Sequence, residues 1–381
     1  MKRISKAVLI LCTCFVSVAL GQQSEGTCSN DWSDFHRPNM VRWNPCEKVL
    51  SVNNVGNLIL KWSYTTGSYV SSSPAVANGV VYVGSDDGNV YALNADTGAK
   101  QWSFATGLAG SVRSSPAVVN GVVYVGSQNG NVFALNASTG AQLWSYATGN
   151  SIVDSSPVVA NGIIYVGSYD DNLYALDAST GALLWSYGTG NYSVDSSPAV
   201  ANGVVYFGSL DHNVYALNAK TGAKLWSYTT SGYVFSSPAL ANGVVYVGSE
   251  DHNLYALNAK TGLKLWSYAA KDYHVFSSPA LANGLVYFGA GGGNVYALNA
   301  VTGARMWRYY TGRRVFSSPA VANGVVYAGS FNQSVYALNA RTGAKLWSYG
   351  TGGFVLSSPA VANGMAYVGS WDGKVYAFGL K

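Results

Sequence analysis

The stretch that decides the fold covers residues 236–268 and reads SSPALANGVVYVGSEDHNLYALNAKTGLKLWSY. Its Ser-Ser-Pro opening recurs with the proline at Pro74, Pro116, Pro157, Pro198, Pro238, Pro279, Pro319 and Pro359, in steps of 40 to 42 residues. A fixed period of this size marks a repeat architecture, in which each copy covers the apolar faces of its neighbours. Each copy holds four short apolar runs: Pro-Ala-Val-Ala, Val-Val-Tyr-Val-Gly, Val-Tyr-Ala-Leu and Leu-Trp-Ser-Tyr, or close variants. Asn-Gly separates the first two in every copy, from Asn78-Gly79 to Asn363-Gly364, and suits a two-residue turn with positive φ at both positions. A polar turn such as Asp86-Asp87-Gly88-Asn89 follows the second run, and Ala-x-Thr-Gly follows the third. Four hairpin-linked strands in about 40 residues make one propeller blade.

Residue size orients the blade. The second run is apolar at nearly every position, as expected of a strand covered on both faces. The first run uses Ser, Pro, Ala and Val, whereas the fourth carries a tryptophan. Close packing of wedges puts small residues where blades converge and large ones at the rim, so the first strand is predicted innermost and the fourth outermost. Trp62, Trp102, Trp144, Trp185, Trp226, Trp266, Trp307 and Trp347 mark eight fourth strands. The first of these, over 58–64, has no preceding strands, while the last copy stops after its third strand at 375–378. Pairing the two closes the ring and removes an exposed edge. The expectation is an all-β, eight-bladed propeller of four-stranded antiparallel blades over 58–381, closed three-plus-one by the N-terminal strand.

Ala-x-Thr-Gly with a tryptophan four residues after the glycine occurs in seven copies, from Ala95-Asp96-Thr97-Gly98…Trp102 to Ala340-Arg341-Thr342-Gly343…Trp347. This resembles the tryptophan-docking motif of pyrroloquinoline-quinone (PQQ) propeller proteins, and Asp31-Trp32-x-x-Phe35 resembles the leader that precedes such propellers. The N-terminal strand departs from the pattern, lacking Thr-Gly and carrying Val55-Gly56 at a shifted spacing. The resemblance implies the fold. It leaves activity open, because the family contains PQQ-dependent dehydrogenases and also non-catalytic members such as the propeller lipoprotein of the outer-membrane β-barrel assembly machinery.

Ahead of the propeller, Lys2, Arg3 and Lys6 precede an apolar run from Ala7 to Leu20 and an Ala19-Leu20-Gly21 sequence, which reads as a signal peptide over 1–21. Cys12 and Cys14 follow Leu11 and Thr13 rather than Gly or Ala, which argues against a lipid-modified cysteine. Export is expected, with a leader over 22–57 and a single disulfide between Cys28 and Cys46. Removing the signal leaves 19 basic against 17 acidic residues, a balance that argues against nucleic-acid or anionic-membrane partners.

Strand alternation puts the Asn-Gly and Thr-Gly turns at one end of the ring. The loops between blades and the polar second turns share the other end, and there the copies differ. Binding residues favour loops on rigid scaffolds, so the variable face is the candidate face. Three residues before each proline the ring reads Ser71, Arg113, Asp154, Asp195, Phe235, Phe276, Phe316 and Leu356. Such a channel mouth is polar on one arc and aromatic on the other, as a small ligand or amphipathic peptide requires. A purely structural reading pairs Arg113 with Asp154, leaves Asp195 solvated and has the phenylalanines plug the hole. Tyr309, Tyr310, Arg313, Arg314 and Phe331 add a basic-aromatic cluster of the kind found at protein interfaces. His212 and His252 take equivalent turn positions in adjacent blades, too far apart to share one zinc, and read as solvated hairpin residues.

The leading expectation is a non-catalytic scaffold holding a protein or extended peptide on the variable face, in cell-envelope or outer-membrane assembly, with no cofactor or metal. The alternative implied by the resemblance is a PQQ-dependent alcohol or sugar dehydrogenase with calcium and Asp154 or Asp195 as base. Against it, the chain has no adjacent cysteines for the vicinal disulfide of such enzymes, and two carboxylates make a thin calcium site. A carbohydrate or small-ligand sensor using the same mouth is the third class.

Overall fold

The computed structural model describes residues 29–36, 40–107, 110–149, 152–271 and 273–381. The expected signal peptide and Cys28 lie outside them. Cys46 is disulfide-bonded.

Seven copies each form four antiparallel strands of one sheet: blade 1 (75–105), blade 2 (117–147), blade 3 (158–188), blade 4 (199–229), blade 5 (239–269), blade 6 (280–310) and blade 7 (320–350), the last extended by Trp43–Asn44 of the leader, which pairs in parallel with Ala320–Ala322. Blade 1 is typical, with Ala75–Ala77 innermost, then Val80–Gly84, Asn89–Asn94 and, outermost, Lys100–Ala105. Blade 8 takes Ala360–Ala362, Met365–Gly369 and Lys374–Gly379 from the C-terminal end and Ile59–Thr65 from the N-terminal end, with Trp62 opposite Ala377 and Tyr64 opposite Val375. The ring is an eight-bladed propeller closed three-plus-one.

Local chemistry explains the turns. Asn78 and Gly79 have φ of 51° and 75°, the positive pair the first hairpin requires. In the second hairpin the third turn residue is also left-handed. Glycine fills it at Gly88 (φ 85°), but His212 (φ 73°) and His252 (φ 74°) accept the strain in blades 4 and 5.

Neighbouring blades lock at three radii. At the rim each tryptophan indole reaches the next blade: Trp62 Nε1 donates to the Ala95 carbonyl at 2.8 Å and Trp226 Nε1 to Ala259 at 3.0 Å. The ring lies on the glycine of the turn, where a Cβ added to Gly262 would stand 2.8 Å from Trp226. Trp347 donates instead to the Leu58 carbonyl, where the N-terminal strand lacks the Thr-Gly turn. At mid-radius a fully buried valine from each interblade loop presses into the glycine ending the second strand, as Val112 does against Gly84. Near the axis the second serine of each Ser-Ser-Pro accepts the backbone N–H of its counterpart in the preceding blade. The relay runs Ser73, Ser115, Ser156, Ser197, Ser237, Ser278, Ser318, Ser358 and back to Ser73, every bond 2.9–3.0 Å. The repeated serines are thus a circular belt of interblade hydrogen bonds.

The leader winds around the hub from the constant-face end. The carbonyls of Trp32, Ser33, Met40, Val41 and Arg42 accept from Val76, Val118, Leu240, Leu281 and Val321, the central inner-strand residues of blades 1, 2, 5, 6 and 7. The Asn44 amide donates to the Val361 carbonyl in blade 8. Arg42 is fully buried, its guanidinium donating to the Pro319, Pro359 and Phe35 carbonyls. Beside it His36 is pushed down to about 3, first by burial and then by the Arg42 charge, so it is neutral in the hub.

Candidate functional site

The variable face carries two concentric rings of side chains. The inner ring is the set predicted from sequence, Ser71 to Leu356. The outer ring, which the sequence reading did not isolate, is the residue after Gly-Ser (Gly-Ala in blade 6) at the second-strand exit: Asp86, Gln128, Tyr169, Leu210, Glu250, Gly291, Phe331 and Trp371. Four outer residues, Asp86, Gln128, Tyr169 and Trp371, hydrogen-bond the inner-ring residue that enters the next blade. Arg113 therefore pairs with Asp86 at 3.1 Å and not with Asp154. Asp154 accepts from Gln128 Nε2 at 3.1 Å, and Asp195 from the Tyr169 hydroxyl at 3.2 Å. Around the ring, the Trp371 indole donates to Ser71 Oγ at 3.0 Å.

Asp195 is half-buried rather than freely solvated. Burial first, and the neighbouring Asp154 charge second, push its carboxyl up to about 7, against the opposing hydrogen bond from Tyr169. The Asp154 carboxyl is raised as well, mainly by burial. The polar arc thus holds two carboxyls that resist ionising together, next to an arginine already engaged by Asp86.

The aromatic arc is continuous. Ring centroids lie 5.1 Å apart for Phe235–Phe276, 4.8 Å for Phe276–Phe316 and 5.1 Å for Phe316–Phe331. Phe331 stacks on Phe354 at 5.0 Å, Phe354 meets Trp371 at 5.6 Å, and Trp371 stacks on Tyr69 at 5.4 Å. Edge-to-face and stacked pairs at these distances hold one another in place. The predicted Phe235, Phe276, Phe316 and Phe331 are therefore brought together, and Arg314 lies over Phe316 at 5.8 Å. Arg313 and Arg314 are exposed on the loop into blade 7. Tyr309 is not part of this surface: it packs on Tyr336 at 5.7 Å between blades. His252 meets His274 at 5.2 Å, and His212 meets Tyr233 at 5.1 Å. No group of three or more His, Cys, Asp or Glu able to hold a metal occurs among the described residues.

Sequence reasoning missed the outer ring because it treated the second turn as a unit. It also passed over Gly291-Gly292-Gly293, the blade 6 hairpin, whose first two residues offer no side chain where the other seven blades carry one. A cavity of about 520 Å³ opens there, lined by Glu250, Tyr273, His274, Phe276, Gly291, Arg314 and Phe316.

Eight blades of this repeat, with a leader wound into the hub, define a PQQ-type repeat propeller. The chain belongs to the family described as outer membrane protein assembly factor BamB, whose model it matches over 59–169, 107–208, 148–232 and 170–381. The structure resembles BamB from Moraxella catarrhalis, with a TM-score of 0.73 and 20% identity over 85% of this chain and 100% of that one. It also resembles a europium-containing methanol dehydrogenase, with a TM-score of 0.80 and 15% identity over 92% and 98%. At such identities the likeness concerns the fold. Among curated proteins, lupanine 17-hydroxylase [cytochrome c] of a Pseudomonas species is 30% identical over 105 residues, 26% of this chain and 15% of that protein. The dehydrogenase subunit of the quinone alcohol dehydrogenase of Gluconobacter oxydans (strain 621H) is 28% identical over 121 residues, 29% and 16% respectively. The match thus spans about one-sixth of the length of these relatives. Among the described residues no helix is long and apolar enough to cross a membrane.

Proposed function

We propose that this protein is an exported, non-catalytic scaffold that holds a protein segment or extended peptide on its variable face, serving cell-envelope or outer-membrane protein assembly. The observation that carries the reading is the unbroken aromatic arc from Phe235 to Tyr69, its inner-ring members half-buried and mutually braced, flanked by exposed Arg313 and Arg314. Preordered aromatic anchors beside arginine are what binding hot spots are made of. Family membership is consistent with this role, since the model it matches is described as an assembly factor.

The second reading, a PQQ-dependent alcohol or sugar dehydrogenase, draws on the quinone alcohol dehydrogenase among the relatives and on the raised Asp195 carboxyl beside Asp154. The donor set does not fit the accompanying calcium well. Two carboxylates, each already accepting a hydrogen bond from Gln128 or Tyr169, fall far short of the six to eight oxygens the ion takes.

One experiment separates the two. Purified protein is titrated with PQQ and calcium, following absorbance and dye-linked oxidation of alcohols and aldoses. The scaffold reading expects no turnover, and stoichiometric quinone binding with turnover would refute it. In parallel, partner recovery from envelope extracts is compared between wild type and the Phe235→Ala/Phe276→Ala/Phe316→Ala protein. Equal recovery would remove the arc as the site.

A further inference from the structure

The outer ring has one gap. Seven blades place a side chain at this position, and the next two after blade 6 use large aromatic ones, Phe331 and Trp371, whereas blade 6 has Gly291. The gap lies inside the aromatic arc. Its walls include Phe276 and Phe316, edge to face at 4.8 Å, so a flat ring entering it would continue a stack already in place. Beyond Arg314 a second cavity of about 510 Å³ adjoins it, sharing Tyr273, Gly291 and Arg314 and bounded by Arg313, Phe331 and Phe354. Both volumes fall in the range of about 300–1,000 Å³ typical of ligand pockets.

Gly291 is not in a left-handed conformation, so backbone strain does not demand glycine there. A Cβ at this position would stand 3.2 Å from the Tyr273 Cβ and 3.6 Å from Phe316 Cε1, so a larger side chain would occupy the pocket floor.

Charge selects the occupant. Arg313 and Arg314 are exposed, and among the described residues neither forms an ion pair. The one acid lining the first cavity, Glu250, lies 3.8 Å from His274. The second cavity has Arg313 and Arg314 and no acid among its lining residues, so on that side the notch presents two cations beside an aromatic slot, and complementarity calls for carboxylates next to a ring.

We infer that the Gly291 notch is the anchor pocket of the variable face and takes an aromatic side chain from an acidic peptide segment whose carboxylates meet Arg313 and Arg314. This rests on the peptide-binding reading above and assigns its centre and its specificity.

The test is isothermal titration calorimetry of the full chain at low salt with three synthetic peptides: Gly-Asp-Glu-Phe-Asp-Glu-Gly, the same peptide with alanine for phenylalanine, and the same with lysines for the acids. The first is expected to bind, and the other two at least about tenfold more weakly. Gly291→Phe, which fills the notch with the residue blade 7 already uses, is expected to weaken the first peptide at least about tenfold, with a cooperative melting transition showing that the variant is folded. Arg313→Ala/Arg314→Ala, on an exposed loop, gives an independent arm. It should weaken binding about fivefold or more and flatten its dependence on salt. Equal binding of the alanine peptide, or undiminished binding by folded Gly291→Phe, would overturn the assignment. If the peptide binds Gly291→Phe as well as wild type but loses affinity in Phe235→Ala, peptide binding by the arc stands and the notch falls. If no peptide binds the wild type, both fall.

Discussion

Replacing Asp195 with asparagine removes a charge that the folded ring holds at a cost. Burial, then Asp154, raises this carboxyl from 3.8 to about 7. Between those pH values the folded protein keeps a proton that the unfolded chain has released. Asp195 therefore contributes a stability that is complete below about pH 4 and is lost as pH rises through about 7. The difference corresponds to about 4 kcal/mol. Because the carboxyl keeps some contact with solvent, about 2 kcal/mol is the working figure. The Asp195→Asn protein, whose amide oxygen still accepts from the Tyr169 hydroxyl, should match wild type near pH 4 and exceed it by about 2 kcal/mol near pH 8. With about 2.1 cal/mol/K of unfolding entropy per residue, a chain of this length gains about 2–3 °C in melting temperature at the alkaline end. Scanning calorimetry of both proteins across this range gives the difference curve, in which other titrating groups cancel. A difference independent of pH, or one favouring wild type near pH 8, would refute the reasoning. Asp154→Asn should move the midpoint of the curve downward, because it removes the second cause of the shift.

His36 works in the opposite sense. Its imidazole is held down to about 3 in the hub, so the stability it contributes is present above about pH 6.5 and is lost as pH falls toward 3; His36→Gln should flatten the acid limb of a urea-denaturation series. Gly262→Ala combines a left-handed φ of 72° with a Cβ 2.8 Å from Trp226, and should cost about 1–3 kcal/mol more than Gly243→Ala, whose φ of 74° is similar but whose Cβ meets nothing within 4 Å. Chemical denaturation of the two variants isolates the tryptophan contact from the backbone strain. Ser237→Ala removes the acceptor of the buried Ser197 N–H and should cost about 1–3 kcal/mol by the same measurement.

Blade number, closure and radial order were legible because they are written in features that repeat. Small Ser-Ser-Pro-Ala strands, apolar second strands and one tryptophan per copy follow directly from wedge packing, and the orphan strand carrying Trp62 announces the closure. The inner ring of the candidate face was legible by the same counting. Its pairings were not. Arg113 meets Asp86 because the exit of one blade's second strand lies beside the entry to the next, a radial overlap that spacing along the chain does not encode. The Gly291 notch escaped because it consists of a missing side chain within a turn already rich in glycine. The raised Asp195 carboxyl depends on burial at the channel mouth, which a sequence position three before a proline cannot reveal. The leader's path was illegible for a different reason: it occurs once, so nothing in the chain offers a second copy to compare it with.

That path has a mechanical consequence. Met40, Val41 and Arg42 serve blades 5, 6 and 7 in turn, and Trp32 and Ser33 serve blades 1 and 2, so within each of these two runs the leader advances one residue per blade. Consecutive residues of a chain lie about 3.8 Å apart, and this spacing becomes the pitch to which the inner strands are geared. Rim contacts between similar copies tolerate any number of blades; two runs of the leader seated one residue per blade do not. A ring that gained or lost a copy would change its circumference at the axis, and the leader would fall out of step within a few blades. The segment least like the rest of the protein is thus matched to the inner strands of a ring of eight.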